Sequence, residues 1–310
     1  MDRSVLAVVG PTASGKSDLA IELARRVGGE VVNADSMQLY RGMDIGTAKL
    51  AEPDRRGVVH HLLDVLDVTE TASVAQFQVA ARNTITDCHV RGVVPILVGG
   101  SALYVRAVLD RFVFPGTDER LRTRLETELA LRGPVALHDR LRDVDPLAAS
   151  QILAGNARRV VRALEVIELT GKPFVASLPA YDYVHAPVVQ IGLDVARPVL
   201  DARIEQRVRG MWAAGLVDEV RTLEQVGLRQ GRTASRALGY AQVLAHLAGQ
   251  VSEEQAYANT VARTRRFARK QDGWFRKDSR IHWLPFDADD LVERELTVLE
   301  DMVPVRGVQA

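Results

Sequence analysis

The run Gly10-Pro11-Thr12-Ala13-Ser14-Gly15-Lys16-Ser17 has the residue types a phosphate requires, at the spacing G-x-x-x-x-G-K-[ST]. Glycines let backbone N–H groups close around an anion, a lysine adds positive charge, and the Ser17 hydroxyl can ligate Mg²⁺ that bridges phosphate oxygens. The chemistry implied is the binding and polarisation of a phosphate compound, whose identity the loop alone does not set. Asp35, in Asn33-Ala34-Asp35-Ser36-Met37-Gln38, is the second candidate. A carboxylate near bound phosphates holds Mg²⁺ through water or accepts a proton from an attacking nucleophile, and spacing leaves both open.

Three further stretches could meet a ligand. Val98-Gly99-Gly100-Ser101 repeats the order strand, glycine turn, helix start, which serves close approach to a ligand or tight packing equally well. In Asn156 to Glu165, Arg158 and Arg162 stand one helical turn apart beside an apolar stripe, a face suited to phosphate backbone or to plain solvent. Between Val261 and Arg280 eight basic residues (Arg263, Arg265, Arg266, Arg269, Lys270, Arg276, Lys277, Arg280) face only Asp272 and Asp278. Phe267, Trp274 and Phe275 interleave with them. Cations beside aromatic rings are a common grammar of RNA contact, although a solvated helix with core aromatics reads the same way.

These groups need a scaffold. Val5 to Val9 is apolar throughout and precedes a helix from Lys16 to Val27; Glu30 to Asn33, His61 to Val65 and Val93 to Val98 follow as strands. Apolar strands separated by helices predict a parallel sheet covered on both faces, an α/β core of the phosphate-loop NTPase type. In such sheets ligands bind beyond the carboxyl ends of the strands, which puts Asp35 near the phosphates. From Asp118 to about Leu178 the strand signal gives way to helical periodicity, and a strand returns at Val188 to Val195. The expected organisation is a core of residues 1–117 and 187–310 with an all-helical insertion at 118–186. Helices are expected at Leu200 to Ala213, Val217 to Val226, Ala234 to Leu247 and Glu253 to Lys270, then a strand at Ile281 to Leu284.

Composition narrows the classes. The chain has 310 residues, 47% hydrophobic and 26% charged, enough to bury a core and unlike a disordered chain. Forty basic and forty acidic residues cancel, which argues against a broadly basic nucleic-acid binder and leaves local patches to do such work. No apolar run spans a bilayer and the first residues lack an export signal, so no membrane association and a cytoplasmic location are expected. The lone Cys88 is expected to be a small buried side chain, and His60-His61, with no further ligand at metal spacing, to be structural.

Taken in order, GPTASGKS, ADSMQLYRGMDIGTAK, VGGSALY, NARRVVRALEV, RALGYAQ and TRRFARKQDGWFR resemble the tRNA dimethylallyltransferase (tRNA isopentenyltransferase) family from Gly10 to about Arg276. The resemblance implies transfer of a dimethylallyl group from dimethylallyl diphosphate to N6 of adenine-37, the base 3′-adjacent to the anticodon. It implies that Gly10 to Ser17 grips the donor's diphosphate, with Mg²⁺ at Ser17 and Lys16 neutralising the leaving group. Asp35 then matches the general base, and Arg203 the arginine on the leaving diphosphate, with Arg207 in reserve. Stretches matching those that touch the tRNA anticodon stem-loop in relatives are Asp35, Ser36, Met37 and Gln38; Ser101; Arg122 and Thr123; Arg158, Arg159, Val160, Val161 and Arg162; and Arg236 with Gly239 and Tyr240. Ser17 and Ser101 stand where many members have threonine, Leu50 replaces a common proline, Ala241 a common basic residue, and Asp272-Gly273 interrupts a usual R-Q-x-T-W-F-R.

Two other readings start from the same loop. A small-molecule kinase using ATP explains the first hundred residues and leaves the arginine-rich stretches idle; an RNA-binding NTPase switch uses the basic segment and gives Asp35 no chemical duty. The oligomeric state is open, a monomer included.

Overall fold

The computed structural model describes residues 4–174, 180–185, 187–288 and 290–302. Contacts divide the chain into two compact units, Met1–Asp110 with Tyr181–Ala310, and Arg111–Ala180. Both bounds of the second unit precede the sequence expectation, for a reason in the side chains. Asp110 is fully buried and accepts from Arg106 Nε at 2.8 Å and from Arg280 Nη1 at 2.8 Å, and its backbone bridges to Tyr183. Those bonds hold the chain in the core unit up to Asp110.

The core unit is a six-stranded parallel sheet in the order β3-β2-β4-β1-β5-β6. Its strands are β1 (Val5–Val9), β2 (Gly29–Asn33), β3 (His60–His61), β4 (Val94–Gly99), β5 (Val188–Asp194) and β6 (Ile281–Pro285). Every residue of β1 is buried, as a central strand covered on both faces requires. Helix α1 (Lys16–Val27) packs Leu19, Ile21 and Leu23 on one face; α2 (Val74–Arg91) and α3 (Ala102–Leu109) cover the other with Phe77, Ile85, Val105 and Val108.

The helical unit holds α4 (Glu119–Val144), α5 (Pro146–Gln151) and α6 (Ala157–Thr170). Gly133, at φ 78° and followed by Pro134, breaks α4 so that its halves fold on α6 around Leu125, Leu137, Leu141 and Leu164. The chain returns through α7 (Arg197–Ala213), α8 (Leu216–Gln225), α9 (Tyr240–Leu247), α10 (Glu253–Phe275) and α11 (Leu291–Met302). Among the described residues no helix is long and apolar enough to cross a membrane.

Two expected elements differ. The third strand stops after two residues because Leu62 and Asp64 take left-handed φ of 60° and 57°, which no strand tolerates. The helix expected over Ala234 to Leu247 is a 3₁₀ turn, Ala234–Arg236, and then α9, divided at Gly239 with φ 86°. Gln242 Oε1 accepts from Gly239 N at 2.9 Å and caps the new start. Sequence reasoning did not name α2 or α11, although α2 is delimited by a Ser73 cap and a left-handed Gly92.

Asp110 supplies a test. Asp110→Ala strands Arg106 and Arg280 against each other with no carboxylate between them, and should lower the unfolding free energy in urea by about 3–5 kcal/mol. A loss below about 1 kcal/mol would mean that Asp278 alone neutralises the pair.

Candidate active site

The loop after β1 owes its shape to three residues with positive φ: Gly10 at 137°, Ala13 at 65° and Gly15 at 108°. Alanine in that region costs about 1–2 kcal/mol, so the surroundings must hold it. Arg203 Nε donates to Ala13 O at 2.7 Å, and Arg207 Nη1 to Thr12 Oγ1 at 3.2 Å. Gln271 of α10 accepts from Thr12 N at 2.9 Å and donates to Gly100 O at 2.8 Å, tying the loop to the turn after β4. A side chain at Gly100 would put its Cβ 2.4 Å from that amide, which accounts for one glycine of the pair; at Gly99 the Cβ would lie 2.6 Å from Ala34 O, which accounts for the other. Lys16 Nζ donates to Pro11 O at 2.6 Å across the loop. Ser14 Oγ is buried and has no partner among the described residues, a hydroxyl that a ligand oxygen in the cradle would satisfy.

Beside the loop is a cavity of about 130 Å³. Lys16, Ser17, Asp35, Gln38 and Arg207 supply its polar lining, and Val31, Leu50, Leu63 and Val98 an apolar wall. Burial, reinforced by the Arg207 charge and opposed by Asp35, pushes the Lys16 ammonium down to about 7. Burial raises the Asp35 carboxyl above its ordinary value, against the Met37 N–H, Lys16 and Arg207. Asn33 Oδ1 accepts from Asp35 N at 2.9 Å, and Asp35 Oδ1 accepts from Met37 N at 2.9 Å, so the backbone and the carboxylate of Asp35 are each held by one bond. Asp35 makes no ion pair among the described residues.

Around this centre the expected residues fall into three groups. Gly10 to Ser17, Asp35, Gln38 and Arg207 converge on the loop and cavity, while Arg203 touches the loop from outside the cavity lining. Ser36 and Met37 continue from Asp35 half-buried, and Ser101 stands at the N-cap of α3 with no side-chain capping bond. Thr123, Arg158, Arg159 and Arg236 are exposed.

The third group is internal. Val160 and Val161 point into the core of the helical unit at 0% and 4% exposure, so the expectation that the whole run from 158 to 162 meets RNA is corrected for their side chains. Arg162 donates to Pro115 O at 2.6 Å and Gly116 O at 3.0 Å and, with Arg122, neutralises the fully buried Glu165. Tyr240 has no exposed surface, and Gly239 is the turn that starts α9.

The basic segment divides in the same way. Arg265 bonds Glu205, Arg276 pairs with Asp194 and stacks on Trp283, and Arg280 bonds Asp110 and Asp278. Arg263, Arg266, Arg269, Lys270 and Lys277 remain without ion pairs among the described residues, and all of these but Arg269 share one face of α10 and its end with Phe267 and Trp274, 42% and 48% exposed. Phe267 also lines the cavity, and Phe275 belongs to the core.

Sequence reasoning missed Gln271, whose only signal was a neutral amide inside a basic helix. It also missed that His61 and Cys88 meet Glu30, the one His/Cys/acid cluster of metal-ligand proximity among the described residues. Arg91 grips both oxygens of Glu30 at 2.7 and 2.6 Å, holding that carboxyl down to about 2, while burial pushes the Cys88 thiol up to about 11. A guanidinium in place and a protonated thiol make this an ion-pair cluster and not a cation site.

Residues 38–278 match the family model described as IPP transferase. The chain is 64% identical over 289 residues to a tRNA dimethylallyltransferase of Streptomyces avermitilis, covering 93% of this chain and 92% of that one, and 62% identical to one of Thermobifida fusca, covering 96% and 94%. Among solved structures it is similar to the tRNA isopentenylpyrophosphate transferase of Bacillus halodurans, with TM-score 0.72, 40% identity and 97% of each chain covered. It is also similar to a eukaryotic dimethylallyltransferase described as acting on tRNA, with TM-score 0.84, 25% identity, and coverage of 100% of this chain and 81% of that one. The chain belongs to the IPP transferase family, that of the tRNA dimethylallyltransferases.

Proposed function

We propose that this chain transfers a dimethylallyl group from dimethylallyl diphosphate to N6 of adenine-37 in tRNA, releasing diphosphate. The observation that carries the reading is a single cavity with a phosphate cradle, an apolar wall and a carboxylate free of ion pairs. The wall of Val31, Leu50, Leu63 and Val98 suits a short hydrocarbon. A small-molecule kinase is not favoured: it accounts for the cradle but not for an exposed cation–aromatic face on α10.

In this reading the C1–O bond to diphosphate breaks as the N6–C1 bond forms, and the N6 proton passes to Asp35. The amino lone pair of adenine is delocalised into its ring, so removing that proton as the bond forms lowers the barrier. Charge developing on the diphosphate is met by the N-terminus of α1, Lys16 and Arg207. The hard oxygen of Ser17 in the cavity lining and the unpartnered Ser14 hydroxyl fit a site completed by phosphate and Mg²⁺. Ser17 would hold Mg²⁺, which when bound would supply positive charge against the leaving diphosphate. The target base must leave the anticodon-loop stack to reach Asp35, and Arg263, Arg266 and Lys270 beside Phe267 and Trp274 offer the backbone and base contacts to hold it there. All these groups come from one chain, so a monomer suffices.

Four outcomes test the assignment. Asp35→Asn should cut transfer of labelled dimethylallyl to tRNA by about 10²- to 10⁴-fold while inorganic diphosphate still binds. Because burial raises the Asp35 carboxyl and the base must be ionised, wild-type turnover should fall on acidification at a pH above the ordinary 3.8 of an aspartate; an acid limb at or below that value would remove Asp35 as the base.

With Lys16 at about 7, most of its ammonium is neutral at pH 8, and a polyanion in the cradle draws its proton back. Calorimetry of diphosphate binding at pH 8, in buffers of different ionisation enthalpy, should register proton uptake that vanishes in Lys16→Met. Equal uptake in the two proteins would refute the assignment.

Lys270→Ala should reduce the slope of log affinity for tRNA against log salt by about one unit without altering diphosphate binding. An unchanged slope would take the outer face of α10 off the RNA.

A further inference from the structure

Thr47, Ala48 and Leu50 form a further part of the cavity wall, and among the described residues Arg203, Arg207 and Gln271, which fix the cradle, make no hydrogen bond to them. The Thr47 carbonyl accepts from Gln38 Nε2 at 3.1 Å, and Ala48 takes a left-handed φ of 51°, a conformation that needs support.

Part of the support is local, from Lys49 Nζ donating to Tyr40 O at 2.9 Å and Asp44 Oδ1 at 2.6 Å; the rest comes from α8 and α9, which lie outside the cavity lining. Glu219 accepts from three consecutive backbone groups, Asp44 N at 3.1 Å, Ile45 N at 2.7 Å and Gly46 N at 3.2 Å, and from the Tyr240 hydroxyl at 2.6 Å. Converging N–H groups form a concavity that suits an anion, and here the protein supplies the anion itself. Tyr240 is fully buried, and burial beside Glu219 pushes its phenol far above the usual range, so it remains a donor. A Cβ on Gly46 would lie 2.5 Å from the Tyr240 ring, so the loop can rest on that ring only as glycine.

We propose that Glu219 and Tyr240 are positioning residues for the transfer: they clamp residues 44–46 so that the segment after them presents a fixed wall to the donor's hydrocarbon and a fixed carbonyl to Gln38. The inference rests on the donor reading above. Since the cradle is held by a separate set of bonds, loosening the clamp should spare diphosphate binding and harm transfer.

The experiment uses the full chain with Tyr240→Phe and Glu219→Gln, and Val243→Ala from the same apolar cluster as the control for lost stability. Both clamp variants should lose about tenfold or more in kcat for prenyl transfer to tRNA, keep the Kd for inorganic diphosphate within about twofold, and exchange the amides of Asp44 to Gly46 faster. Val243→Ala, with a comparable fall in melting temperature, should keep its kcat. Should Glu219→Gln fail to fold, Tyr240→Phe decides, as it removes one hydroxyl and leaves the ring under Gly46. Wild-type kcat in Tyr240→Phe, or an equal loss in Val243→Ala, overturns the proposal. If the wild type fails to use dimethylallyl diphosphate, the donor reading falls separately, and unchanged exchange at Asp44 to Gly46 in Tyr240→Phe still overturns the clamp.

Discussion

Lys16 and Arg207 line one partly enclosed cavity together with Asp18 and Asp35, and the desolvation of the two cations is the constraint that the rest of the site answers to. Two cations held together out of water repel each other, and each also loses hydration. Burial lowers both; Asp35 opposes this at Lys16, Asp18 and Asp35 oppose it at Arg207, and Asp35 is itself burdened by burial. The arrangement is tolerable because Lys16 bonds the Pro11 carbonyl and Arg207 the Thr12 hydroxyl, so neither lacks an acceptor. Desolvated cations so placed favour an anion over a neutral ligand.

Much of this was legible in the sequence because it depends on backbone geometry and short-range order. Gly10, Gly15 and Lys16 have fixed spacing around a loop that any phosphate cradle must close, and an apolar Val5 to Val9 can only be a covered strand. Asp35 follows β2, so the parallel sheet order alone carries it to the same edge. Arg203 and Arg207 stand four residues apart on α7, which presents both to the loop; that Arg207 and not Arg203 lines the cavity is a matter of side-chain reach that spacing does not encode.

What was not legible depends on which charge meets which. A basic residue reads the same whether it awaits RNA or neutralises a buried acid. Arg122 serves Glu165 across 43 residues and Arg280 serves Asp110 across 170, separations that no local pattern records, while Arg162 adds a nearby partner for Glu165 and Asp278 one for Arg280. Val160, Val161 and Tyr240 sit within stretches that resemble RNA-touching ones, yet a helix shows a surface only every third or fourth residue, and these three face inward. The split of the helix expected from Ala234 likewise turns on one glycine's φ.

Helix α10 carries unlike duties on opposite sides of 23 residues. Gln271 stitches the anion loop to the neighbouring turn, while Lys270, its adjacent residue, faces solvent with Arg266 and Trp274. Anyone wishing to retune nucleic-acid affinity therefore has a narrow stripe to work on, at steps of three and four residues. Phe267 belongs to that stripe and also lines the cavity, and Gln271 adjoins it, so a library randomised across the whole segment would confound the two properties.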